Sequence, residues 1–123
     1  MRTQEVIIVV RRGDELLAVH RSPENGAYWH CVAGGVEDGE TYAEAAAREL
    51  REETGLAAEV TSLDHSFTYE GIRVESFLAD APSGWEPELD WEHDDYRWCA
   101  AEEAHELLFW PEPREVLQEL AAG

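Results

Sequence analysis

The chain has 123 residues, which suits one domain spanning 1–123 with one core, and 44% of them are hydrophobic, enough to fold without a partner. Its 28 acidic against 9 basic residues give a formal net charge of −19, which excludes a basic stripe for long nucleic acids and disfavours anionic membranes. A small phosphate compound stays accessible to such a protein when divalent cations sit between the two, although the charge also serves plain solubility.

The N-terminus runs from Met1-Arg2-Thr3-Gln4 directly into an apolar pattern, without signal-peptide architecture. No apolar run approaches the roughly 20 residues of a membrane span. Cys31 and Cys99 form neither a CxxC pair nor a disulfide framework. These features predict a cytoplasmic protein with free, structural thiols.

Glu5–Val10 is β-branched and reads as a buried strand, Gly13-Asp14 as a turn, and Leu16–His20 as the hairpin partner. Ser22–Gly26 is a loop. Tyr28–Val32 reads as a short strand ending at Gly34-Gly35, and Asp38-Gly39 as a further turn. Thr41 to Thr54 is alanine-rich and helical, with Thr41 and Glu44 spaced as a capping box and Gly55 as the stop. Glu59–Tyr69 and Ile72–Leu78 read as strands joined at Glu70-Gly71, followed by a loop over Ala79–Asp90. Tyr96–Cys99 is a short strand, Ala101–Leu108 a helix, and Pro111 and Pro113 open a last helix at Arg114–Leu120. A mixed sheet flanked by helices, an α/β (α+β) architecture, is the expected fold.

On the main helix, at about 100° per residue, Glu49, Glu52 and Glu53 share an arc of roughly 100°. Ala43, Ala46, Ala47, Leu50 and Thr54 form the expected core face, while Glu44, Arg48 and Arg51 fall on a more exposed side. Like charges within one turn repel by a few tenths of a kcal/mol per pair, and the end of a helix disfavours anions. Hard divalent cations, whose preferred ligands are carboxylate oxygens, explain such a cluster. From the helix alone, a solvated acidic face and a metal site both stay open.

The pattern Gly34-x5-Glu40-x7-Arg48-Glu49-Leu50-x-Glu52-Glu53-x-Gly55-Leu56 resembles the Nudix box at every defined position. The flanks also resemble the family: the hairpin ending in His20-Arg21, the strand carrying Trp29, and the distal Glu92-His93-x-x-Tyr96-x-Trp98. One departure stands before the box, where Val32-Ala33-Gly34 replaces the common Pro-Gly-Gly. The backbone carbonyl at that position survives an alanine if φ stays negative.

The resemblance implies the Nudix fold, a mixed sheet sandwiched between helices, and Mg²⁺-dependent hydrolysis (Mn²⁺ being the alternative ion) of a nucleoside diphosphate linked to another moiety. It implies Glu52 and Glu53 as metal ligands and Glu49 as ligand or base. Arg48 would orient a box glutamate, Ala33 would offer its carbonyl, and Glu40 would bind metal through water or support the loop. The general base is a box glutamate, Glu49 or Glu53, or else Glu92, which lies in an acidic stretch from Glu86 to Asp95 that could equally be solvated surface. Arg21 is the candidate phosphate contact. His93 is a candidate substrate contact or else a loop cap, and Tyr28, a candidate substrate contact, could stack on a base, as could Trp85, Trp91 and Trp110. Trp29 and Trp98 read as structural. The histidines show no zinc spacing.

The expected substrate is a small nucleotide, foremost a nucleoside triphosphate or related triphosphate. Dinucleoside polyphosphates stay open. An ADP-ribose type is less favoured, because no proline follows the box until Pro82. A non-catalytic nucleotide-binding domain is the alternative of another class, and a homodimer stays open.

Overall fold

The computed structural model describes residues 3–107. The expected helix at Arg114–Leu120, Leu108 and Trp110 therefore lie outside the described residues. The elements are β1 (Gln4–Arg12), β2 (Glu15–Arg21), β3 (Trp29–His30), β4 (Val32–Gly35), α1 (Tyr42–Thr54), β5 (Thr61–Tyr69), β6 (Ile72–Asp80), β7 (His93–Cys99) and α2 (Ala101–Leu107).

The strands form one seven-stranded mixed sheet in which β3, β2, β1, β6 and β5 follow one another, β4 pairs with β1, and β7 pairs with β2. β1 runs parallel to β6 and antiparallel to β4. Alternation along β1 divides the core. Val6, Ile8 and Val10 point to the face covered by α1, where they meet Ala45, Ala46 and Leu50. Ile7 and Val9 point to the face where α2 contributes Ala104. The sheet is thus sandwiched between helices, as expected. Among the described residues no helix is long and apolar enough to cross a membrane.

Five details differ from the sequence reading. The strand expected over Tyr28–Val32 breaks at Cys31, because the chain leaves β2 as partner and takes up β1. The last strand begins at His93 rather than Tyr96, and β6 runs on to Asp80. Ala43, expected on the core face, is exposed. Arg48, expected on the exposed side, is largely covered, because its guanidinium reaches back across the preceding loop.

The capping box is present in both directions: Glu44 N–H donates to Thr41 Oγ1 at 3.1 Å, and Thr41 N–H to Glu44 Oε1 at 2.9 Å. Gly55 ends the helix at φ 81°, in the left-handed region that glycine reaches without steric cost.

Candidate active site

α1 and β4 build the site between them. β4 is extended, and Ala33 pairs with Ile7 and has no positive φ, so the substitution for glycine leaves the backbone unstrained. The next residue has a stricter requirement. A Cβ on Gly34 would overlap the carboxyl carbon and both oxygens of Glu49. The box glycine is therefore the space in which the Glu49 carboxylate lies.

Arg48 organises the surrounding acids. Its Nε and Nη2 donate to the two oxygens of Glu40 at 2.8 and 3.0 Å, and Nη2 also donates to the Gly35 carbonyl at 2.8 Å. Nη1 donates to Glu49 at 2.7 Å and to Glu52 at 3.1 Å. The paired Arg48 guanidinium, followed by the Glu37 backbone N–H, pulls the Glu40 carboxyl down to about 2. Glu40 thus ties the loop before α1 to Arg48.

The three box glutamates have different surroundings. Glu49 is largely covered and lines a cleft of roughly 280 Å³ with Arg21, Tyr28, His30, Ala33, Gly34 and Glu92. Glu53 is buried behind it, 4% exposed, and does not line the cleft. Burial first, then contact with Glu49 and the charge of Asp90, push the Glu53 carboxyl far above the usual range. Its Oε1 has no hydrogen-bond partner. Glu52 is exposed and turned toward Arg48.

Arg21, Tyr28 and Glu92 meet across the cleft from α1. Arg21 Nε donates to the Asn25 carbonyl at 2.8 Å, Nη2 approaches Glu92 at 3.4 Å, and its guanidinium lies 5.8 Å from the Tyr28 ring centroid. Ser22 N–H donates to the Glu92 carbonyl at 2.8 Å, fixing the two segments together.

His93, a candidate substrate contact or loop cap, has its side chain 2% exposed. Nδ1 lies 2.8 Å from Asp90 Oδ1, and Nε2 lies 3.7 Å from Glu53 Oε1. Trp85 and Trp98 pack on the core face beneath α1, and Trp29 on the opposite face, whereas Trp91 is 78% exposed.

Sequence reasoning missed Asp90, which it took as solvated, and His30. The signal for His30 was its alternation with Trp29, which places it on the same side of the sheet as Val32 and Gly34. Burial, then the charges of Arg21 and His93, lower the His30 imidazole to about 4.

Among the described residues no group of three or more His, Cys, Asp or Glu side chains is gathered ready to hold a metal ion. Two carboxyl groups pressed together, one with a buried oxygen lacking a partner, nevertheless fit a divalent cation.

The NUDIX domain family model matches residues 1–120, and the chain belongs to this family. It is 36% identical over 132 residues to an octanoyltransferase of Myxococcus xanthus, covering 99% of this chain and 37% of that protein. It is 39% identical over 85 residues to the NAD-capped RNA hydrolase NudC of Haemophilus influenzae, covering 64% of this chain and 32% of NudC. The chain thus spans about a third of the length of these relatives. It is also 34% identical over 101 residues to the asymmetrical bis(5'-nucleosyl)-tetraphosphatase of Mus musculus, covering 75% of this chain and 69% of that one. Among solved structures, a C. elegans Ap4A hydrolase binary complex superposes with TM-score 0.83 at 26% identity, covering 96% of both chains. The E. coli dihydroneopterin triphosphate pyrophosphohydrolase, at 21% identity and TM-score 0.85 over 96% of this chain and 94% of its own, shares the fold.

Proposed function

We propose that this chain hydrolyses a diphosphate linkage in a nucleoside diphosphate derivative, with Mg²⁺ or Mn²⁺ held by Glu49, Glu52 and Glu53. The observation that carries this reading is the Glu49–Glu53 pair, buried at the edge of the cleft with one oxygen unpartnered. Two acids so placed cost stability unless a cation joins them. The ion supplies charge neutralisation and a more acidic bound water.

The residues of the chain do the rest. Arg48 fixes the direction of Glu49 and, through Glu40, the loop before the helix. Arg21, on the opposite wall, is placed to meet a phosphate, and Tyr28 beside it to meet the rest of the substrate. Glu92 lines the same cleft and is a candidate to accept the proton of the attacking water, with Glu49 the alternative. The Ala33 carbonyl is a candidate ligand from β4, and Glu40, engaged by Arg48, acts as support. The charge of −19 favours a small substrate arriving with its cation over long nucleic acid or membrane.

A nucleoside triphosphate or related triphosphate leads, favoured by the distal Glu92-His93-x-x-Tyr96-x-Trp98 pattern. Dinucleoside polyphosphates are the second reading, favoured by the likeness to the mouse tetraphosphatase. The test is hydrolysis with Mg²⁺ of nucleoside triphosphates, dinucleoside polyphosphates and ADP-ribose, read by chromatography of the nucleotide products. Hydrolysis of at least one, lost by orders of magnitude in Glu52→Gln and Glu53→Gln, is expected. Hydrolysis of none, with the cation still bound, would mean a nucleotide-binding domain instead.

A further inference from the structure

β7 contains an irregularity where it pairs with β2. Tyr96 pairs with Val19, and Asp95 with His20, but Arg21 pairs with His93, so one residue of β7 is passed over. Tyr96 and Trp98 pack on the α1 side of the sheet. Unbroken alternation would bring Asp94 to that side. The bulge brings His93 instead, and Asp94 turns to His20 Nδ1 at 2.6 Å.

The consequence is a buried row of side chains leading to the cleft. Asp90 Oδ1 lies 2.8 Å from His93 Nδ1, and the His93 backbone N–H donates to the Asp90 carbonyl at 3.3 Å. The ring is thereby held on one edge, and its other edge presents Nε2 to Glu53 Oε1 at 3.7 Å. That oxygen has no hydrogen-bond partner, and the Glu53 carboxyl also meets Glu49. A bulge next to a site commonly re-aims one side chain, and here it exchanges a third buried carboxylate for an imidazole.

We infer that His93, clamped by Asp90, is a positioning residue that holds the Glu53 carboxyl against Glu49 so that the pair can share a divalent cation. This rests on the reading of Glu49 and Glu53 as cation ligands. His93 does not line the cleft and acts through Glu53. Partners that orient a metal-ligating side chain commonly matter tenfold or more in metal affinity.

The experiment is Mn²⁺ binding by calorimetry or electron paramagnetic resonance, with thermal unfolding in chelator alongside. His93→Leu is expected to weaken Mn²⁺ binding about tenfold or more while remaining folded. His93→Gln, which restores a polar nitrogen, should recover part of that loss. In a Glu53→Gln background, His93→Leu should cause no further loss. Parent-like affinity in folded His93→Leu, or an undiminished loss in the Glu53→Gln background, would overturn the inference. If His93→Leu fails to fold, Asp90→Asn decides: weaker binding supports the clamp, and parent affinity removes it. A parent that binds no Mn²⁺ overturns the cation-site reading itself, and the positioning role with it.

Discussion

Gly34 shows how one residue can be fixed by a neighbour far along the chain. Its backbone tolerates a side chain, since its φ is not in the left-handed region, but the Glu49 carboxylate occupies the volume a Cβ would need. The obstacle is the end of a flexible side chain rather than backbone, so Gly34→Ala should fold with a melting temperature within a few degrees of the parent. It should lose at least tenfold in turnover, because displacing Glu49 breaks its contact with Arg48 and Glu53. Equal turnover would show that the position of Glu49 does not matter. His30 supplies a pH dependence. Its folded value is lowered to about 4 against 6.5 in the unfolded chain, mainly by burial. The unfolded state therefore binds the extra proton between those values, and stability is lost as pH falls from about 7 toward 4. The full loss is about 3 kcal/mol. Urea unfolding at pH 7.5 and pH 5 should show the onset of that loss, and His30→Gln should flatten it.

At the scale of elements, α1 depends on its ends as much as on its apolar stripe. Thr41 and Glu44 satisfy each other's backbone donors, so Thr41→Ala should cost about 1 kcal/mol and lower the melting temperature by roughly 3–5 °C. A change below 1 °C would show that the cap carries no net stability. The same sequence spacing that announced the cap announced the strands, because alternation and turn residues are local properties. What escaped were the partners. The break at Cys31 follows from a change of neighbouring strand, and the early start of β7 from pairing with β2. The loop before β7 is likewise held by distant groups. Arg12 pairs with Glu86 and donates to the Trp85 carbonyl at 2.7 Å, while Glu86 also accepts from Tyr96 Oη at 3.0 Å and Trp98 Nε1 at 3.1 Å. Nothing within Glu86–Glu92 announces those bonds, which is why Asp90 read as solvated surface.

Across the whole molecule, charge is the dominant unbalanced quantity. A net −19 on 123 residues repels itself in the compact state. Raising NaCl from about 10 to 500 mM, which shortens the screening length from roughly 30 to a few Å, should raise the melting temperature by several degrees. Unchanged or falling stability would mean that screened ion pairs, such as those of Arg48, outweigh the repulsion. The box itself, from Gly34 to Leu56, and with it family, fold and the set of acids, was determined by sequence alone, because those residues are fixed at fixed local spacing. Tertiary structure decided how the acids differ. It buried Glu53 behind Glu49, left Glu52 exposed on Arg48, and buried the His93 side chain beside Glu53. The reason is physical: burial and hydrogen bonding depend on which strand lies opposite, and a single bulge in β7 decided whether an imidazole or a carboxylate met the helix.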